Sequence, residues 1–109
     1  MNQPAFPAID EASFEAEIAA RKGLVLLDFW SQGCVPCKQL SRVLTELASS
    51  LPATVTIATI DAAGNPGLAQ RFNVRSVPTL VFLKDGAVVE TRTGVDRKQV
   101  LRKIVETHT

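Results

Sequence analysis

A run of seven mostly apolar residues, Leu24-Val25-Leu26-Leu27-Asp28-Phe29-Trp30, leads within a few positions to Cys34-Val35-Pro36-Cys37. The run does not alternate with polar residues, which is the pattern of a strand covered on both faces of its sheet. A proline between the cysteines suits the first turn of a helix and would break the interior of one. The chain is therefore expected to pass from a central strand almost directly into a helix that carries a cysteine pair at its start. These are the only two cysteines of the protein. Three positions apart, they can close a small disulfide ring and open it again. A strand feeding a CxxC at a helix start is a redox-site arrangement.

Composition narrows the alternatives. The 109 residues correspond to one domain, 1–109, and 46% of them are hydrophobic, enough for a core without structural disulfides. Twelve basic and eleven acidic residues leave a formal charge of +1, which argues against electrostatic capture of nucleic acid or of acidic membranes. No apolar run approaches the ~20 residues of a membrane span. The stretch Met1–Pro7 has neither the basic flank nor the apolar region of a secretory leader. The expected compartment is the cytoplasm, where a lasting structural disulfide is uncommon.

Along the rest of the chain, a first helix is expected from Asp10, with Asp10 as cap, Glu11, Glu15 and Glu17 suiting the N-terminal dipole, Phe14 and Ile18 inward, and Gly23 as its stop. The helix after the cysteines should run to about Leu51, burying Leu40, Val43, Leu44, Leu47 and Leu51. Val55–Ile60 reads as an alternating strand. Asn65-Pro66-Gly67 turns into a short helix over Leu68–Phe72. Thr79–Leu83, the turn Lys84-Asp85-Gly86 and Ala87–Thr93 form a hairpin. Asp96 caps a last helix with Val100, Leu101, Ile104 and Val105 inward. From the apolar run onward the order is β-α-β-α-β-β-α, with an extra strand over Ala5–Ile9 as an optional addition. Early βαβ order implies parallel pairing and the hairpin adds antiparallel strands, so the fold class is α/β with a mixed sheet between helices.

Asp28-Phe29-Trp30, Cys34-x-Pro-Cys37-Lys38, Asn65-Pro66-Gly67, Val77-Pro78-Thr79-Leu80, Lys84-Asp85-Gly86 and Gly94 together resemble the thioredoxin family, over nearly the whole chain and without obvious insertions. The resemblance implies a thioredoxin fold: a central mixed sheet of four or five strands flanked by about four helices. It implies reduction of protein disulfides by a reversible Cys34–Cys37 dithiol, with a flavoprotein thioredoxin reductase as electron donor, disulfide-containing proteins as substrates, no cofactor in the chain, and a monomer. An oxidase or isomerase on the same fold, or a non-catalytic assembly subunit, are the competing readings.

Each candidate residue has a chemical reason. Cys34, at a helix N-terminus, would be the nucleophile, since free N–H groups there favour an anion and such positions can hold thiol pKa values near ~3.5–7.5. Cys37, one turn on, would resolve the mixed disulfide. Half of a zinc site is the competing reading, but structural zinc takes four ligands and only His108 could join the pair; no metal is expected. Asp28, an acid inside an apolar strand, should have a raised pKa and could take the Cys37 proton. The resemblance implies that Pro78 follows a cis bond facing the cysteines, turning the Val77 backbone toward an extended substrate, and that Trp30, Gly33, Val35, Pro36 and Gly94 border the substrate surface. The basic residues Arg97, Lys98, Arg102 and Lys103 are expected to be a solvated helix face.

Four positions depart from the family pattern. Val35 stands where glycine is typical, Gly33 where a tryptophan is common, Thr59 where a lysine often neighbours the buried acid, and Arg42 where a proline usually bends the helix. None removes a catalytic group. They bear on substrate range and on redox poise.

Overall fold

The computed structural model describes residues 6–109. Strands β1 (Leu24–Trp30), β2 (Thr56–Asp61), β3 (Thr79–Lys84) and β4 (Ala87–Thr93) form one sheet in the order β2-β1-β3-β4. β1 pairs parallel with β2 and antiparallel with β3, and β3 pairs antiparallel with β4. The helical elements are a π-helical segment (Glu15–Ala19), α1 (Val35–Ala48), α2 (Pro66–Arg71) and α3 (Lys98–His108). A mixed four-stranded sheet with about four helices is thus what the apolar run and the hairpin imply.

β1 is central and its side chains alternate between two cores. Val25, Leu27 and Phe29 join Phe14, Ile18, Ala58, Ile60, Leu68 and Val81 on one face. Leu24 and Leu26 join Leu40, Leu44 and Leu47 of α1, Leu101 and Val105 of α3, and Leu80 and Phe82 on the other. The π-helical segment and α2 therefore cover one face, and α1 with α3 the other.

Several elements differ from the expectation for local reasons. Asp10 does act as a cap, its carboxylate accepting from the Ser13 N–H at 2.9 Å, while the Ser13 hydroxyl accepts from the Asp10 N–H at 3.1 Å. This exchange closes a turn over 10–13, so the helix begins only beyond it. Asp96 does not cap α3. Its carboxylate is held by both Nε and Nη2 of Arg92, at 2.9 and 3.2 Å, and Arg97 takes the cap position without a side-chain bond. Val100 is 39% exposed, off the stripe of Leu101 and Val105. α1 ends at Ala48, earlier than expected. In β2, Ile57, Ala58, Thr59 and Ile60 are all buried, because both faces are covered and Thr59 sits inside. The extra strand reduces to one parallel bridge, Ala8 with Thr59; Ala5 lies outside the described residues. The Asp85-Gly86 loop has positive φ at both residues, the twist that a two-residue hairpin needs.

The π-helical side of the molecule is tied to α2 by a reciprocal clasp. The Glu11 N–H donates to Asn65 Oδ1 at 3.0 Å and the Gly67 N–H donates to Glu11 Oε2 at 2.6 Å. A β-carbon on Gly67 would sit 2.7 Å from that carboxylate oxygen. Gly67→Ala should displace the end of Glu11 and weaken this bond, a loss of about 1 kcal/mol that cancels the helix-propensity gain of alanine and leaves little net change. The same substitution in a Glu11→Ala background should instead raise stability by that propensity gain, as read from urea midpoints of the four proteins. Equal effects in both backgrounds would rule out the clasp.

Candidate active site

The sheet register gathers the candidate residues at one end. The C-terminal end of β1 lies beside the start of β3, with Phe29 opposite Thr79 and Asp28 opposite Leu80. Thr79 in turn lies opposite Thr93 at the end of β4. Trp30, Pro78 and Gly94, each one residue beyond these pairs, therefore share that end, and the Gly94 N–H donates to the Pro78 carbonyl at 2.9 Å. The Val77–Pro78 bond is cis and Pro78 is buried.

From Trp30 the chain crosses a short loop and enters α1. Gly33 in that loop has φ +75°, a conformation that a bulky residue adopts only under strain, which is a local reason for glycine at this position. Cys34 is the N-cap of α1, with extended backbone, and Pro36 lies in the first turn. Cys34 and Cys37 form a disulfide, with Cα atoms 5.2 Å apart. The two sulfurs are unequal. Cys37 is 1% exposed and heads the buried stripe of α1, followed by Leu40, Leu44 and Leu47. Cys34 is only half-buried, and its Sγ accepts the Cys37 N–H at 3.1 Å. Next to it in the chain, Val35 is 63% exposed and Pro36 and Gly33 are exposed; Val77, Trp30 and Gly94, at the adjoining strand ends, are half-buried. A β-carbon on Gly33 or Gly94 would meet no atom within 4 Å, so the space beside the dithiol is open at both. Gly94 has φ +87°, a left-handed turn conformation that glycine adopts without strain.

Asp28 is fully buried, on the same sheet face as Leu24 and Leu26 and hence under α1. Neither carboxylate oxygen has a hydrogen-bond partner among the described residues. Burial alone pushes its pKa from the ordinary 3.8 up to about 7. Thr59, its parallel-strand neighbour in register, brings no charge, and its hydroxyl turns to the Pro7 carbonyl at 3.4 Å. The buried acid and the buried cysteine thus share the interface between α1 and the sheet.

The thioredoxin family model matches residues 5–107. The chain belongs to the thioredoxin family. It is 42% identical to thioredoxin of Bacillus subtilis over 98 residues, covering 90% of this chain and 92% of the relative. It is 41% identical to thioredoxin of Chlamydia trachomatis over 100 residues, covering 92% and 95%. It is 39% identical to thioredoxin of Rhodospirillum rubrum over 98 residues, covering 90% and 94%. With its cysteine pair at the head of α1, this thioredoxin-family chain is a thiol–disulfide oxidoreductase that reduces protein disulfides.

Reading the chain residue by residue missed the Arg92–Asp96 pair, which spans the Gly94 turn and so braces one flank of the site. Opposite charges four positions apart across a glycine were the available signal.

Asp28 couples stability to pH. Between 3.8 and about 7 the folded chain keeps a proton that the unfolded chain releases. The folded state therefore loses stability as pH rises through this window, and the penalty is complete above about 7 and absent below the unfolded value. At ~1.36 kcal/mol per pH unit the full effect is about 4 kcal/mol. Asp28→Asn cannot ionise, so its stability relative to the unsubstituted protein should rise by up to that amount from pH 4 to pH 8. Denaturant unfolding of the oxidised proteins at the two pH values measures it, and a difference independent of pH would show that Asp28 is not held protonated.

Proposed function

We propose that the half-exposed Cys34 is the attacking thiol and the buried Cys37 the resolving one. The observation that carries this is the asymmetry of the pair: one sulfur at an open helix N-terminus with an N–H directed at it, the other beneath α1. In the reduced protein, the helix dipole and that N–H favour Cys34 as a thiolate. The thiolate attacks one sulfur of a substrate disulfide, forming a Cys34–substrate bond as the substrate's own S–S bond breaks, and the departing thiolate takes a proton from solvent. Asp28 accepts the Cys37 proton. The Cys37 thiolate attacks Cys34 Sγ, the mixed disulfide breaks, and the second substrate sulfur leaves and is protonated. The substrate gains two electrons and two protons, and the protein ends in its disulfide form.

An acid with a pKa about 7 suits this role, because it can be ionised or protonated near neutral pH. The cis Val77–Pro78 backbone at the adjacent strand end is a candidate rail for an extended substrate, which would pair as an added strand. Trp30, Gly33, Val35, Pro36, Val77 and Gly94 would border it. Exposed Val35 offers an apolar contact next to the reacting sulfur. A flavoprotein thioredoxin reductase would return two electrons to the Cys34–Cys37 disulfide. The protein would act as a monomer in the cytoplasm, carrying electrons in thiol homeostasis; no helix among the described residues is long and apolar enough to cross a membrane.

Cys37→Ser should accumulate a covalent adduct with a disulfide substrate such as insulin, because attack remains and resolution is lost. Cys34→Ser should form no adduct and reduce no disulfide. Non-reducing gels with mass spectrometry read both, and an adduct on Cys37 in the Cys34→Ser protein but none in Cys37→Ser would reverse the roles.

A further inference from the structure

Positions 38, 42, 46 and 50 recur every four residues along α1 and its C-terminal turn, so they lie one above another. They are Lys38, Arg42, Glu46 and Ser50, all exposed. α3 runs alongside in register with them. Lys98 Nζ lies 3.7 Å from the Glu46 carboxylate, and Arg102 Nη2 donates to the Ser50 hydroxyl at 3.1 Å. The two helices thus present one surface that carries Lys38, Arg42, Lys98 and Arg102 together with two carboxylates, Glu46 on α1 and Glu106 one turn beyond Arg102 on α3. Exposed Arg97 and Lys103 extend it.

Further acids are elsewhere. Asp10, Glu11, Glu15 and Glu17 flank Phe14 and Ile18, which pack into the core on the opposite face of the sheet. That side also carries Arg21, Lys22 and Arg71, the last paired with Glu15 at 2.7 Å, so its charges largely balance, while the α1–α3 face keeps an excess of cations. The basic face starts at the residue after Cys37, and its two cations on α1, Lys38 and Arg42, lie about 6 Å apart along the axis, at ~1.5 Å per residue.

We propose that this α1–α3 face docks an acidic region flanking the target disulfide of a protein substrate, and so selects substrates by charge. The proposal deepens the disulfide-exchange reading and rests on it. Its first two cations lie within about two turns of the dithiol, close to one Debye length of ~8–10 Å, where steering of an acidic approach is felt. Complementary charge of this kind acts mainly on the association rate and fades with salt. A protein substrate fits better than nucleic acid or an anionic membrane, because the basic face begins at a sulfur pair that reacts with disulfides.

The test uses the reduced full chain and two disulfide-linked peptides of equal length, one flanked by Asp and Glu, the other by Lys. Acid-quenched single-turnover rates are read by mass spectrometry. At about 0.02 M salt the acidic peptide should react about tenfold faster, and at about 0.5 M the ratio should fall to within about twofold. Arg42→Glu and, separately, Arg102→Gln should each lower the low-salt ratio, the charge reversal more. Equal rates at low salt would overturn the proposal. So would a preference that survives in both variants, which would put its source elsewhere. Tight binding of a DNA oligomer or of phosphatidylserine vesicles that blocks the acidic peptide would replace the protein occupant by a polyanion. Reduction of neutral 2-hydroxyethyl disulfide by the unsubstituted protein separates the cases: if it proceeds while the peptide preference is absent, docking fails and disulfide exchange stands; if it does not proceed, the exchange reading itself fails.

Discussion

The seating of α1 on the sheet is the contact on which the site depends. Cys37, Leu40, Leu44 and Leu47 form its buried stripe, against Leu24 and Leu26 of β1 and Leu80 and Phe82 of β3. Burying side chains of this size stabilises by about 1.5–3 kcal/mol each, so the helix is held firmly without help from the disulfide. That one contact makes the two cysteines different. It takes Cys37 out of water, leaves Cys34 at the N-cap of the helix with an N–H directed at its sulfur, and covers Asp28. A buried carboxylate with no hydrogen bonds costs stability when charged. The protein tolerates it where the same dry interface holds a thiol whose proton has to be taken.

Much of this was legible in the chain, and the limits are physical. Leu24–Trp30 was readable because a strand covered on both faces needs no alternation, and the cysteine spacing with Pro36 marked a helix start. The Asp85-Gly86 turn was readable because few dipeptides accept its backbone. Asp10 and Asp96 look alike as caps, but what each does depends on which competing donor is near. Asp10 has Ser13 three residues on, whereas Asp96 meets the guanidinium of Arg92, which outbids a helix N–H for a carboxylate. The alternation read in β2 was misleading for a different reason: Ala58 and Ile60 pack into one core and Ile57 into the other, so both faces are covered, and the Thr59 hydroxyl is taken by the Pro7 carbonyl. The clasp between Glu11 and Gly67 joins residues 56 positions apart, and no local pattern announces such a contact.

Two of the four departures from the family pattern, Gly33 and Val35, fall on the open side of the site. Gly33 leaves its flank uncovered, as the family-matching Gly94 does, and Val35 projects into water beside Cys34. Thr59, by contrast, acts from below. Its hydroxyl is committed to the main chain, so the pKa of Asp28 is set by burial without a neighbouring cation. The thiol chemistry is therefore framed by a rim open to a partner's main chain and a dry floor that governs one proton. Arg42 belongs to neither: its long side chain on the exposed face of α1 adds charge where a proline would have added a bend.

The central claim is that α1 divides the pair into a reactive sulfur and a shielded one. Brief iodoacetamide treatment of the reduced, folded protein at neutral pH, followed by peptide mapping, tests it directly. Cys34 should be labelled first, with Cys37, 1% exposed, lagging by at least about tenfold; labelling of Cys37 as fast as Cys34, or faster, would contradict the account.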